Sequence, residues 1–143
     1  MILRLHVMLL AAVIPDLSKF LPLPALLRMF TPRRPSMVYE GLSEQSIVTS
    51  ILQRLRNPWR MRGRRCLRVG LLSFYFLRLA GIPVELRFGV YTLAGPRELA
   101  HCWITLGGRC LTEPPREAYV PILTWGESVD ETAVLRRELP HDD

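Results

Sequence analysis

The sequence lacks the features that define several common protein classes. Its three cysteines show neither a CxxC pair nor the cysteine and histidine spacing of a finger, so neither a disulfide scaffold nor a zinc module is supported. It has no internal repeat and no collagen-like glycine bias. With 49% hydrophobic residues and a mean hydropathy of +0.16, the chain is too apolar to be disordered and should bury a core.

Long hydrophobic runs are also missing. The apolar stretch of residues 5–14 follows Arg4 and stops at Pro15, which makes it shorter than the roughly 20 residues a membrane helix needs. No small-x-small cleavage site follows it, so a core helix is a better interpretation than a signal peptide. We expect no transmembrane segment and, from the sparse cysteines, a cytoplasmic location.

Lysine is nearly absent. Of the 19 basic residues, 18 are arginine and one, Lys19, is lysine. The formal net charge of +6 favours acidic partners, since arginine pairs with carboxylate or phosphate through two hydrogen bonds. The arginines of residues 60–68 lie beside Trp59, but no nucleic-acid recognition motif accompanies them. We therefore expect no nucleic-acid partner.

The length of 143 residues fits a single domain, residues 1–143, whose character changes near residue 60. The predicted parts are a helical, proline-interrupted part (1–59), a core that carries the chemistry (60–125) and a charged tail (126–143). Apolar spacing predicts helices over residues 1–14, 43–56 and 66–80. Pro15 is expected to end the first helix, Ser43 to cap the second and Gly81 to stop the third.

Alternating apolar residues predict strands after Pro83. Residues 84–91 alternate as a half-buried strand, and residues 101–106 and 109–113 read as a hairpin around Gly107 and Gly108. Residues 118–125 contain a proline and are predicted as an edge strand or an extended segment. The fold class that follows is α+β, with N-terminal helices and a central helix that bears Cys66 packed on a small antiparallel sheet.

Cys66 is the candidate nucleophile. It stands where an arginine-rich loop meets the first turn of a mostly buried helix, and both the helix N-terminus and the cations favour a thiolate. The alternative is a small buried hydrophobe beside a solvated loop. Cys102 and Cys110 do not precede a helix, so both are predicted to be structural.

His101 is the candidate base, because the other two histidines lie near the chain ends. Glu113, at the end of the next strand, is the carboxylate best placed to orient its imidazole. A two-residue turn would place His101 and Glu113 on opposite faces of the hairpin. We therefore predict a three-residue turn or bulge, in which Leu106 faces Cys110.

These residues resemble a known family. The segment RRCLRVGLLSFYFLRLAGIPVELRFGV, followed by AHCWITLGGRCLTE, is similar to the transglutaminase-like cysteine proteases that act as leader peptidases in lasso-peptide biosynthesis. The likeness covers about residues 60 to 115 and implies a transglutaminase/papain-like core. It implies that Cys66 is the nucleophile, His101 the general base and acid, and Glu113 the acidic residue, where the family usually has aspartate.

The resemblance also implies a function. The protein would remove the leader from a ribosomally made precursor peptide through a thioester intermediate, with no cofactor and no metal. The precursor would arrive on a separate leader-recognition protein, and an ATP-dependent macrolactam cyclase would close the core peptide. The alternative is a catalytically inactive transglutaminase-like scaffold that binds a peptide or a partner protein.

Overall fold

The computed structural model describes residues 2–56, 65–91, 100–115 and 119–126. Within these ranges, four helices are followed along the chain by four strands. The helices are α1 (Ile2–Phe20), α2 (Leu23–Met29), α3 (Glu44–Arg54) and α4 (Arg65–Leu79), and the strands are β1 (Glu85–Tyr91), β2 (Ala100–Leu106), β3 (Arg109–Cys110) and β4 (Tyr119–Trp125).

The strands form one antiparallel sheet in the order β3-β2-β1-β4. The α+β class is thereby confirmed. Strand β4 lies at an edge of the sheet, so Pro121 does not interrupt the hydrogen bonds of a central strand. The register shifts between Phe88, which faces Leu123, and Gly89, which faces Pro121, so that Ile122 is the extra residue of a bulge.

Helix α4 lies at the centre of the core. Nearly every side chain from Arg68 to Leu79 is buried, and the helix contacts α1, α3, β1 and β2. The helix ends at Leu79, and the predicted stop at Gly81 follows it. Gly81 has a φ of +81°, a conformation that glycine adopts without strain. Because α4 is enclosed on several sides, its first turn is held in a defined position against the sheet.

The first helix is longer than predicted. It was expected to end at residue 14, but α1 continues through Pro15 to Phe20. Pro15 lacks the N–H that the helical ladder needs, which costs about 3 kcal/mol in a helix interior. Val7 and Ile14 are nearly fully buried and Leu17 packs on the same core, so tertiary packing outweighs this local cost.

Helix α3 begins as predicted and ends slightly earlier. The Ser46 N–H donates a hydrogen bond of 3.2 Å to Ser43 Oγ, which confirms Ser43 as the N-cap. The helix stops at Arg54, two residues before the predicted end at residue 56.

The hairpin turn differs from the prediction. Leu106 pairs with Arg109, so the turn has two residues rather than three. Gly107 and Gly108 have φ angles of +55° and +81°, as in a type I′ turn, which matches the twist of the flanking strands. Two adjacent glycines permit this turn without strain, and this is why the three-residue turn is not formed.

Strand β3 is also shorter than predicted, ending at Cys110 instead of residue 113. The Leu111 N–H still donates to the Ile104 carbonyl oxygen, but the Ile104 N–H donates to the Thr112 hydroxyl at 3.0 Å. The Thr112 side chain thus accepts the hydrogen bond that a backbone carbonyl would accept in a regular strand. The alternation of side chains between the two faces of the hairpin therefore does not extend to Glu113.

Nearly all of the predicted charged tail, residues 127–143, lies outside the described residues. Of the helices that the structure describes, none is both long enough and apolar enough to cross a membrane.

Candidate active site

Cys66 is the second residue of α4 and is half-buried. The free N–H groups and the dipole at a helix N-terminus stabilise a thiolate at this position. Arg65, which begins the helix, is exposed, and the other predicted loop arginines, Arg60, Arg62 and Arg64, lie outside the described residues. Within the described residues, the site therefore consists of the first turn of α4 and the adjacent strand β2.

His101 lies near the start of β2, opposite Gly89 of β1. Its ring stacks on Trp103 at 5.9 Å between ring centres, and Tyr119 lies 5.6 Å away on β4. Gly89 makes room for Trp103, since a Cβ there would lie 2.9 Å from the indole ring. Aromatic rings from two strands thus set the orientation of the imidazole.

Glu113 contacts His101 through its backbone. The Nε2 atom of His101 lies 3.2 Å from the main-chain oxygen of Glu113, while the Glu113 side chain is exposed. A carbonyl oxygen only accepts hydrogen bonds, so in the neutral ring Nε2 carries the proton and Nδ1 is the basic nitrogen. The structure brings the predicted pair together, but through the carbonyl and not through the predicted carboxylate.

The pKa of Cys66 is lowered from 9.0 to about 6. The largest cause is a hydrogen bond with the Cys102 side chain; the charge of His101 and hydrogen bonds with the Cys102 main chain and the His101 side chain lower it further. Burial raises the pKa, because it removes water from the charged sulfur, but it is outweighed. Cys66 is consequently ionised at neutral pH, which is the state a nucleophile needs.

Sequence comparison places the chain in a family. A family model described as the transglutaminase-like superfamily matches residues 9–124, a range that includes Cys66, His101 and Glu113. The chain belongs to the transglutaminase-like superfamily. Comparison with the curated proteins gave no significant match, and comparison with the solved structures gave none either.

The transglutaminase-like superfamily includes cysteine peptidases. A cysteine at a helix start and a histidine on a strand of the adjoining sheet fit that chemistry, because the charge of His101 contributes to the lowered pKa of the Cys66 thiol. In this transglutaminase-like chain, the residues that the structure describes contain no cluster of three or more potential metal-ligating side chains.

The sequence did not predict the contact between Cys102 and Cys66. Cys102 is buried, as predicted for a structural residue, and its thiol donates to the Cys66 main-chain oxygen at 3.0 Å. One signal for this contact was present in the sequence, since Cys102 directly follows His101 on a strand. Gly70, one helical turn after Cys66, packs closely against Cys102, since a Cβ at Gly70 would lie 2.8 Å from Cys102 Sγ.

The remaining cysteine lies in β3. The Cys110 thiol donates to the Thr112 main-chain oxygen at 3.3 Å, and burial raises its pKa. Trp59, which precedes the arginine-rich segment, lies outside the described residues. Of the three thiols, Cys66 is the one whose surroundings favour the ionised form.

Proposed function

We propose that this protein is a cysteine peptidase that removes the leader from a ribosomally made precursor peptide in lasso-peptide maturation. The observation that carries the proposal is the position of Cys66 at the start of α4, where its pKa is lowered to about 6, together with a His101 whose imidazole is oriented by a carbonyl. The resemblance of residues 60–115 to leader peptidases supports the choice of substrate.

The first half of the reaction forms a thioester. The Cys66 thiolate attacks the scissile carbonyl carbon, and the main-chain N–H of Cys66 at the start of α4 stabilises the oxyanion. His101 then donates a proton to the departing amine as the C–N bond breaks. The core peptide leaves with a free N-terminus, and the leader remains bound to the Cys66 sulfur.

The second half restores the enzyme. His101, now neutral, takes a proton from a water molecule, which attacks the thioester carbonyl. The C–S bond breaks, the leader leaves as a carboxylic acid, and Cys66 returns as a thiolate. The reaction is a hydrolysis, so it needs no oxidant, reductant or cofactor.

The partners follow from the same proposal. A separate leader-recognition protein would bring the precursor peptide, and the ATP-dependent macrolactam cyclase would act on the released core peptide. The reaction would take place in the cytoplasm, where thiols remain reduced.

The deciding experiment is cleavage of a candidate precursor peptide in the presence of its leader-binding partner, followed by mass spectrometry. The wild-type protein should release leader and core, and Cys66→Ala should not. Cys110→Ser is the matched control, because it alters a half-buried cysteine in β3 and should leave cleavage intact. If wild-type protein and Cys66→Ala both bind the precursor or its partner without cutting, the protein is a scaffold and the peptidase proposal is wrong.

A further inference from the structure

The imidazole of His101 lies beside two aromatic rings that belong to the sheet. The indole of Trp103, two residues further along β2, is stacked on it, with 5.9 Å between ring centres and 19° between ring planes. The ring of Tyr119 on β4 lies 5.6 Å from the imidazole at an angle of 53°. An aromatic ring attracts a cation within about 6 Å of its centre, so both rings are close enough to act on a charged imidazole.

The position of Trp103 is set by the sheet and not by the main core. Trp103 is 4% exposed, yet in the described part of the chain it does not belong to the hydrophobic core that the helices share with the sheet. Space for the indole comes from Gly89, the cross-strand neighbour of His101, where a Cβ would lie 2.9 Å from the indole ring. Glycine at position 89 therefore allows the indole to lie nearly parallel to the imidazole.

Tyr119 is held in place by a second tyrosine. Tyr91 on β1 is its cross-strand partner, and the two ring centres lie 5.4 Å apart. Both tyrosines are half-buried, as is His101. Aromatic pairs at this separation stabilise each other, so the ring on the β4 side of the imidazole also has a defined position.

The proposed chemistry requires a positive charge on His101. The imidazole becomes an imidazolium when it pairs with the Cys66 thiolate and before it protonates the departing amine. The group that accepts a hydrogen bond from Nε2 is the carbonyl of Glu113, which carries only a partial charge. The titratable side chains near the imidazole include Cys66 on α4, the exposed Glu113 and the two tyrosines. The face of an aromatic ring has a negative potential, and its attraction for a cation is larger where water is excluded.

We propose that Trp103 and Tyr119 are positioning residues that stabilise the imidazolium of His101 through their aromatic rings, in the role that the acid has in a Cys-His-acid triad. The imidazolium in turn stabilises the thiolate of the nucleophile, because the charge of His101 lowers the pKa of Cys66. The inference rests on the proposed function only in taking Cys66 and His101 as the catalytic pair.

The test follows the ionisation of Cys66 and needs no peptide substrate. Wild-type protein, Trp103→Leu, Trp103→Phe, Tyr119→Leu and Tyr119→Phe are alkylated with iodoacetamide across a range of pH, and mass spectrometry follows the Cys66 peptide. Leucine removes the ring and stays apolar, whereas phenylalanine keeps a ring and is the matched control. Tyr119 is half-buried on an edge strand, so its two variants decide the question if Trp103→Leu does not fold. Cys110 in the same samples is the internal reference.

We expect the Cys66 midpoint to rise by about 0.5 to 1 pH unit in each leucine variant, because the imidazolium loses a cation–π partner and the thiolate loses part of its counter-charge. Each phenylalanine variant should lie closer to wild type than its leucine counterpart, and the Cys110 profile should not move. Unchanged midpoints in both leucine variants, or equal shifts with phenylalanine and leucine, would overturn the proposal. Because no peptide is cut in this assay, a failure of the proposed leader-peptidase function would leave its result unaffected.

Discussion

The Nε2 atom of His101 lies 3.2 Å from the main-chain oxygen of Glu113, so a backbone carbonyl orients the imidazole. Glu113 itself is exposed. A carbonyl fixes the tautomer and the ring angle as a carboxylate does, but it brings no full negative charge to stabilise an imidazolium. The identity of the side chain at position 113 should therefore matter less than the path of its backbone.

The first prediction concerns the Glu113 side chain. Glu113→Gln should cleave the precursor within about tenfold of the wild-type rate, whereas neutralising a carboxylate that orients a catalytic histidine costs on the order of 10⁴-fold. The measurement is the initial cleavage rate, with Glu40→Gln as a control for losing an exposed carboxylate elsewhere. A loss near 10⁴-fold in Glu113→Gln would show that the carboxylate takes part after all.

The second prediction concerns selective labelling at neutral pH. With a pKa of about 6, Cys66 is mainly thiolate at pH 7, while the raised pKa values of Cys102 and Cys110 keep them protonated. Iodoacetamide should therefore label Cys66 first, and labelling should slow as the pH falls through 6, because the sulfur gains a proton. Mass spectrometry of the digested protein identifies the site.

Urea-unfolded protein is the control for this labelling, since its three thiols should react at similar rates. Preferential labelling of Cys110 in the folded protein, or a Cys66 midpoint near pH 9, would contradict the assigned environment of the nucleophile.

The third prediction concerns Thr112, whose hydroxyl accepts the Ile104 N–H and holds the segment that leads to Glu113. Thr112→Val should lower the free energy of unfolding by about 1 to 3 kcal/mol, because it leaves a buried donor unpaired. Cleavage should also slow, since the Glu113 carbonyl is displaced from His101. Urea unfolding and the cleavage assay measure the two effects.

Thr112→Ser keeps the hydroxyl and is the matched variant, so it should lose much less stability and activity than Thr112→Val. Equal stability and activity in the two variants would mean that the hydroxyl does not hold this segment.

The fourth prediction concerns Pro15 in the interior of α1. Pro15→Ala restores an N–H to the helical ladder and should raise the free energy of unfolding by about 1 to 3 kcal/mol. Thermal unfolding measures the change. Pro24→Ala is the matched control: Pro24 lies in the first turn of α2, where proline is well tolerated, so its replacement should bring no comparable gain. A Pro15→Ala protein that melts at or below the wild-type temperature would contradict this account of α1.

Much of the fold could be predicted from local patterns. The cap at Ser43, the stop at Gly81 and the edge strand with Pro121 follow from hydrogen-bonding groups and backbone preferences within a few residues. The extent of α1 could not be predicted in this way. Its continuation past Pro15 depends on burial of Val7 and Ile14 against elements that are distant in sequence.

The same distinction between local patterns and tertiary packing applies to the candidate site. Local patterns in the chain predict Cys66 in the first turn of a helix and His101 near the start of a strand, because helix starts and strand alternation depend on neighbouring residues. Tertiary packing is needed to bring the Glu113 carbonyl to His101 and the Cys102 thiol to the Cys66 main chain. These contacts depend on how the turn closes and how α4 packs on β2, and such packing is a property of the whole core.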